Sequence, residues 1–535
     1  MIGIKKKYLL LPIIFYFFVH ITNCFCQSTK FDMDYLNGDY NFNLTSQYSS
    51  TSQALVTDIK IQGRSGPCWS FGIISALESS LIKQDNLKIK PDFSEMNLIY
   101  NLNYGTSSNN PYEFDFINSG NNEMATAYFA SGRGPVLEKD DPYKSNYVVR
   151  DYSENLKKPL NKYVRQIIYI PDTDKFDSLS LRNHRELVKK FIMENGSVAS
   201  NIFLDENYLD SSKKNYFYNS YSDSTNHTVA IIGWDDNYKR ENFNSMNMPQ
   251  NDGAFIIKNS WGKDKHDNGF FYMSYEDKFA GFNSYVLKEI VDAQEKYKFE
   301  NIYQHDYFGM TSALAESRIG DKKNICSVFD LRSENEALTD IGVFIASNNV
   351  NCKFFLVKVT DDNKIIGYSD YIYDCDFKFP GYYVISLPEK ILLKDKKFGI
   401  ALKMTGQNLF IPCERKDFSY SSKAVAAQNQ NFFGNEYGFE DIYEKFENVT
   451  NFCIKGFTQK NLNGAIDVSY NKFKKLPQPS QVVAKNTTVS YEYKPANIKS
   501  FGAFDKLVLI VVILPFVGVI FSYFITRNKF WFIIQ

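Results

Sequence analysis

The helix-periodic stretches of this chain all lie before about residue 197, and beyond that point it offers almost only short strand-like runs. That segregation limits the fold more than any other feature, because it excludes an alternating α/β wind and calls for helices gathered at one end of β structure. Apolar residues recur at three- and four-residue spacing through Trp69, Ile73, Ile74, Ala76, Leu77 and Leu81, which predicts a helix with Pro67 just ahead of it. Ser94-Glu-Met-Asn-Leu98 reads as a capped helix start, and Leu181–Met193 as a third helix. Thr228–Gly233, Ala254–Lys258 and Gly269–Ser274 are apolar runs bounded by turn residues, as buried strands are. From about 300 to 465 only short strands are expected, at Cys326–Leu331, Ile341–Ala346, Phe354–Val359, Tyr382–Leu387 and Phe398–Met404. Such regular short strands indicate a sandwich. The class is therefore α+β over 55–290, followed by an all-β sandwich over 300–465.

The two ends set the topology. Lys5, Lys6 and Lys7 precede an apolar run from Tyr8 to Val19, the pattern of a secretory signal over residues 1–26. Residues 27–54 are polar and read as an N-terminal arm. Pro477, Pro479 and Pro495 among polar residues mark 466–505 as an extended stalk. Leu507–Ile525 is apolar enough to cross a bilayer as a helix (506–526), and Arg527 and Lys529 in the tail 527–535 favour the cytoplasmic side. A type I membrane protein is expected, its catalytic part outside the cell or in the lumen of a lysosome-like or secretory compartment. Sequons at Asn43, Asn195, Asn226, Asn448 and Asn486 fit that route. Lys+Arg and Asp+Glu both number 61, a balance that argues against a nucleic-acid partner. Of eight cysteines, Cys24 and Cys26 fall in the signal, and Cys326, Cys352, Cys375, Cys413 and Cys453 lie beyond residue 300, where an oxidising compartment permits disulfides. Cys68 stands alone.

Three separated segments fit one catalytic machine. In Gln62-Gly-Arg-Ser-Gly-Pro-Cys68-Trp-Ser-Phe71 a thiol sits where a helix begins, and the unpaired N–H groups there stabilise a thiolate. Gln62, across a glycine-containing turn, is placed to return beside Cys68 and form an oxyanion hole with the Cys68 N–H. In Asn226-His227-Thr-Val-Ala-Ile-Ile-Gly-Trp234 a histidine precedes an apolar strand, and in Lys258-Asn259-Ser-Trp261-Gly262 an amide follows one. Asn259 can orient the imidazole while Trp261 shields that bond from water. The order Cys, His, Asn over a long interval suits nucleophile, base and orienter. His184 lies in a charged helix and His266 and His305 in polar segments, so no metal-ligand cluster is expected, and no cofactor.

These segments resemble the papain family of cysteine peptidases over roughly residues 55–285. Asn301-Ile-Tyr-Gln-His-Asp306, Met124-Ala-Thr-Ala-Tyr128, Gly134-Pro-Val-Leu-Glu138 and Asp140-Asp-Pro-Tyr143 are similar to the branch in which a lectin-like domain follows the peptidase. The resemblance implies a two-lobed enzyme, helical in one lobe and β-rich in the other, with a Cys68–His227 ion pair across the cleft. Gly120 and Trp261 take substrate-binding positions, and the substrates are proteins or peptides. The sandwich domain would take a glycan or protein ligand. Ser65 stands where many relatives have a cysteine, Pro67 replaces the usual serine, and Gly120-Asn121 stands for the common Gly-Gly. The stretch from Gln27 to Cys68 is too short for a long propeptide. Two other functions compete: an adhesin or binding protein on a dead peptidase scaffold, and a thiol acyltransferase using the same triad.

Overall fold

The computed structural model describes residues 42–476 apart from 64–65, 102–119, 145–156, 174–176, 221–223, 295–297, 321–323, 417–419, 444, 447–448, 461–462 and 468–473. The signal segment, the apolar span 506–526 and the tail lie outside these residues. No described helix is long and apolar enough to cross a membrane.

The predicted central helix is α1 (Cys68–Asp85), buried without interruption from Cys68 to Ile82. Its small residues Ser70, Gly72, Ser75, Ala76, Ser79 and Ser80 let neighbours approach from every side, as a helix surrounded by core requires. It ends where Asn86 turns left-handed and donates its N–H to the Ile82 carbonyl. The start at Ser94 is real: α2 (Glu95–Asn101) is capped by the Ser94 hydroxyl, which accepts from the Asn97 N–H at 2.9 Å. Asn121 caps α3 (Asn122–Ala130) through Met124 N–H, and Asp177 caps α4 (Ser178–Asn195) through Ser180 N–H.

The β-rich lobe consists of β1 (Gln47–Ser49), β2 (Lys162–Ile170), β3 (Val198–Ile202), β4 (Asn215–Tyr216), β5 (His227–Asp235), β6 (Ala254–Lys258), β7 (Phe270–Ser274) and β8 (Ser284–Asp292). They lie in the order β4-β7-β6-β5-β3-β8-β2, with β1 added antiparallel to β5. The stretch that reads as a polar arm therefore contributes a strand. Tyr48 stacks on Trp234 at 5.1 Å, and the Trp234 indole N–H donates to the Thr45 carbonyl at 3.0 Å. Two aromatic side chains among polar neighbours are enough to seat this strand on the lobe.

The strands after residue 300 build the β-rich domain expected there, and one of its sheets is continuous with that of the peptidase region. The sheet does not stop at β2: it continues through Gly381–Leu393, Glu336–Ile345, Ile454–Gln459 and Asn301–Tyr303, so twelve described strands from both regions form one surface. The join is Gly381 opposite Ile168, Tyr382 opposite Ile167 and Tyr383 opposite Gln166. At φ +151° a Cβ on Gly381 would stand 2.1 Å from the Ile167 carbonyl oxygen, so only glycine lets the two edges meet. Beside the join, buried Arg165 donates to Asp340 Oδ1 (2.9 Å) and to Ser386 Oγ (2.8 Å). The core around α1 also takes in Phe344, Tyr382 and Phe457 from beyond residue 300.

The second layer of the sandwich is a sheet in the order Gly438–Asp441, Asn431–Asn435, Asn324–Asp330, Lys397–Thr405, Val350–Val359 and Ile365–Tyr368. Leu338, Ile341, Val343, Phe354, Leu356, Ile400 and Leu402 fill the space between the layers. The segment Asn301–Asp306 is a tie: Asn301 and Tyr303 donate to Glu336 (2.7 and 2.9 Å), and Asp306 meets the buried Lys455 at 2.8 Å. Within the segment expected as a stalk, Ile466 bridges Ile391 and Lys474–Lys475 pairs with Tyr368 and Gly367. All six described cysteines carry free thiols.

A shared sheet predicts shared unfolding. In the full chain, Asp340→Ala strands the buried Arg165 and should lower stability by about 3–5 kcal/mol. Calorimetry should show one transition for both regions, moved as a whole; two transitions with only the later region affected would contradict a continuous core.

Candidate active site

Cys68, His227 and Asn259 sit at or beside the ends of elements. Cys68 is the first residue of α1, with Sγ 4.0 Å from the Gly66 carbonyl. Burial pushes its thiol up, while the N–H groups of Thr228, Trp69 and Cys68 itself, with the Thr228 hydroxyl, favour the thiolate. Thr228 follows His227 at the start of β5, so the helix end and the strand end meet here. Gly72 makes the approach feasible: a Cβ there would lie 2.7 Å from Thr228 Cγ2.

His227 is buried, and its Nε2 donates to Asn259 Oδ1 at 2.8 Å. Burial pushes the imidazole down to about 4, against the opposing pull of the Asn259 hydrogen bond. Burial thus opposes each charge taken singly, and the hydrogen bonds at each group oppose burial. Asn259 follows β6, and its oxygen also accepts the Ser260 N–H at 2.8 Å, which settles which end of the amide is oxygen. Trp261 lies 5.1 Å from the His227 ring, flanking the bond as its place in the sequence suggests.

Gln62 is held on three sides. Its N–H donates to the Ser260 carbonyl (2.9 Å), its carbonyl accepts from the Tyr143 hydroxyl (2.6 Å), and its side-chain oxygen accepts from Ser260 Oγ (2.5 Å). The segment Lys60–Gln62 runs antiparallel to Ser260–Gly262, with Ile61 bridged to Trp261, so this segment and the loop bearing Asn259 form one ladder. Gly120 lies so close to the Trp69 indole that a Cβ would come within 2.2 Å of it, next to the start of α1. The structure thus places Gln62 against Ser260, Asn259 and Trp261 against His227, Cys68 against Thr228, and Gly120 against Trp69.

Charge is stored directly behind. Lys60 Nζ reaches Glu95 Oε1 and Asp92 Oδ1, both at 2.8 Å, and lies 3.6 Å from Glu78; Lys258 Nζ donates to Thr57 Oγ1 at 2.9 Å. Burial pushes Glu95 up to about 8 and Lys258 down to about 8.

Two residues at the site are not singled out by the sequence. Tyr143 anchors the Gln62 backbone from 81 positions away, and only the Asp-Pro-Tyr motif hints at a role. His266 reads as a residue of a polar segment. Its Nε2 lies 3.0 Å from Asn259 Nδ2, its Nδ1 lies 2.9 Å from the Lys213 carbonyl oxygen, and its ring stacks on Trp261 at 5.7 Å. The signal is its place in the short connection between β6 and β7, which must fold back over Asn259 at its base.

A thiol at a helix N-terminus that is hydrogen-bonded by Thr228, the residue after an imidazole held by an amide, is equipped for nucleophilic acyl transfer. Comparison with known proteins agrees. The description "Papain family cysteine protease" matches residues 45–290, and "Lectin like domain" matches 302–458. Viral cathepsin of Autographa californica nuclear polyhedrosis virus is 26% identical over 240 residues, 44% of this chain and 61% of the relative. A cathepsin L-like peptidase of Aedes aegypti is 24% identical over 221 residues, 41% of this chain and 56% of that protein. The chain thus spans about three-fifths of the length of these curated relatives. The solved cysteine protease and lectin-like domains of Cwp84, a surface layer associated protein of Clostridium difficile, share the fold with a TM-score of 0.67 and 24% identity, over 83% of this chain and 96% of that one. Taken with the geometry at Cys68 and His227, these matches mean that the chain carries a papain-family cysteine peptidase domain followed by a lectin-like domain.

Proposed function

We propose that this protein is an extracytoplasmic, membrane-tethered cysteine endopeptidase acting on proteins or peptides. The observation that carries the reading is the 2.8 Å bond from His227 Nε2 to Asn259 beside a buried thiol at the start of α1. With Nε2 carrying the proton shared with Asn259, Nδ1 is the nitrogen left with a lone pair, and it takes the Cys68 proton. The thiolate then attacks the scissile carbonyl, and Gln62 with the Cys68 N–H stabilises the oxyanion. Imidazolium His227 returns its proton to the leaving amine as the C–N bond breaks, leaving a thioester. Water, deprotonated by His227, attacks the thioester; the acid is released and the thiol is regenerated. Trp261 keeps water from the His227–Asn259 bond, and Gly120 lines the substrate strand.

The tether rests on the signal-like residues 1–26 and the apolar span Leu507–Ile525 followed by Arg527 and Lys529. Cwp84 is a surface layer associated protein, and its likeness to this chain accords with a peptidase held at a boundary. The lectin-like domain is read as a docking or glycan-binding module fixed rigidly beside the cleft.

Cys68→Ala should abolish turnover of a generic protein substrate, a loss of about 10⁶-fold by analogy with other triads, and His227→Ala nearly as much. A thiol-directed epoxide should label Cys68 alone, and labelling elsewhere with activity retained would sink the assignment. Asn259→Ala, which removes a hydrogen bond to a group charged in the reaction, should cost about 10- to 100-fold in kcat/KM. Asn226 holds Leu204 with both ends of its amide, accepting its N–H at 2.7 Å and donating to its carbonyl at 3.1 Å. Its sequon should remain unglycosylated on the exported protein, which mass spectrometry of tryptic peptides can check.

A further inference from the structure

His266 is held at φ +54°, a left-handed backbone that a bulky side chain rarely adopts. It sits in the β6–β7 connection, where Asn259 N–H donates to the Gly269 carbonyl and Gly269 N–H to the Lys265 carbonyl. Glycine would take this conformation without strain, so the side chain must contribute something that offsets it. Its ring stacks within 27° of the Trp261 plane, and its two nitrogens end on different partners. Nδ1 faces the Lys213 carbonyl at 2.9 Å. A carbonyl can only accept, so Nδ1 carries the hydrogen, and Nε2 of the neutral ring is an acceptor. Nε2 lies 3.0 Å from Asn259 Nδ2, the donor end of that amide.

The carbonyl behind His266 is itself fixed. Asp210 gathers the N–H groups of Ser212 (2.9 Å), Lys214 (2.8 Å) and Asn215 (2.8 Å) into a closed turn, and Asn215 pairs with Tyr272 of β7. A chain of directed bonds therefore runs from the Lys213 carbonyl through His266 to Asn259 and on to His227.

We propose that His266 is a positioning residue of the peptidase site, holding the Asn259 amide so that its oxygen faces His227 Nε2 and the His227 lone pair is left on Nδ1. The proposal rests on the catalytic reading of His227 and Asn259 given above. It also makes the site sensitive to acid. Protonated His266 would turn an N–H toward the NH₂ of Asn259, donor against donor, and set a second positive charge behind the imidazolium of His227. The other charged groups around His266 are Lys265 and Asp267 on its own loop, Lys213 and Lys214 on the Asp210 turn, and Glu206, which lies 3.5 Å from Lys213. Asp267 meets Lys214 at 3.2 Å, so these charges are largely matched. Burial, the leading cause, holds the His266 imidazole below its ordinary value, and the Lys213 carbonyl opposes this.

The experiment compares His266→Phe, which keeps a ring on Trp261, and His266→Gly, which relieves the backbone, with the full-length wild type. Both should lose about tenfold in kcat at neutral pH with KM changed less than about twofold. The acid midpoint of kcat/KM should move to lower pH, because the His266-linked loss is gone. Thermal melts of both variants are run in parallel and the kinetics taken well below each midpoint, so the deficit reports on the folded enzyme. In an Asn259→Ala background, His266→Phe should add less than about twofold. Wild-type activity in His266→Gly, a pH profile that is only scaled, or the same tenfold loss without Asn259 would each overturn the proposal. Cys68→Ala, measured in parallel, separates the cases: if it remains active the catalytic reading itself fails, and if it is dead while the His266 variants are normal, only this inference does.

Discussion

The structure depends on one close approach, that of the first turns of α1 to the first residues of β5. Cys68 and Gly72 on the helix face Thr228 on the strand, and the strand's preceding residue is His227. Neither element could be placed this closely by its own propensity. A helix buried from Cys68 to Ile82 needs small residues on several faces, and this one has them. A strand buried along almost its whole length needs apolar residues at consecutive positions, as Val229–Ile232 provide. The two motifs that look catalytic in the sequence are thus also the two that make this packing possible.

Around that contact stands a rigid platform wider than a peptidase domain alone. The sheet that begins around β5 runs on across Gly381 into the lectin-like domain, and the core around α1 accepts side chains from both regions. Buried Arg165 is compensated by residues from beyond 300: Asp340, Ser386 and the Val384 carbonyl. An isolated guanidinium in that place would carry an uncompensated charge, so the lectin-like domain completes the fold of the peptidase. The sandwich is held to the peptidase region by a continuous sheet and a shared core, as no flexible linker would allow.

Local features are legible in the sequence, and long-range pairings are obscure. Cys68, His227 and Asn259 sit at or beside element ends, with Gln62 and Trp261 in the adjoining turns, where punctuation by Gly and Pro and runs of Ile and Val reveal the boundaries. The capped start at Ser94 is readable for the same reason. The β2 junction is not, because Gly381 and Ile168 are more than 200 residues apart and nothing in either segment names the other. The strand Gln47–Ser49 is hidden among polar residues, since its placement comes from the contacts of Tyr48 and Thr45 with Trp234 rather than from its own pattern. His266 is hidden because a charged, turn-rich connection reads as solvent-facing, whereas the short β6–β7 hairpin returns it to the base of the site.

Electrostatics decides how such a site can be both buried and reactive. Burial alone drives Cys68 toward the thiol and His227 down to about 4, so neither charge is favoured singly. Charge separation in the proposed mechanism must come from groups that favour the two charges at once: the N–H groups at the head of α1 for sulfur, and Asn259 for the imidazolium. Those dipoles are preorganised by the ladder from Lys60 to Gly262 and by the turn around Asp210, so they need not reorient when the proton moves. Burial and these dipoles therefore act against each other at both groups, and the head of α1 and the Asn259 amide set the balance.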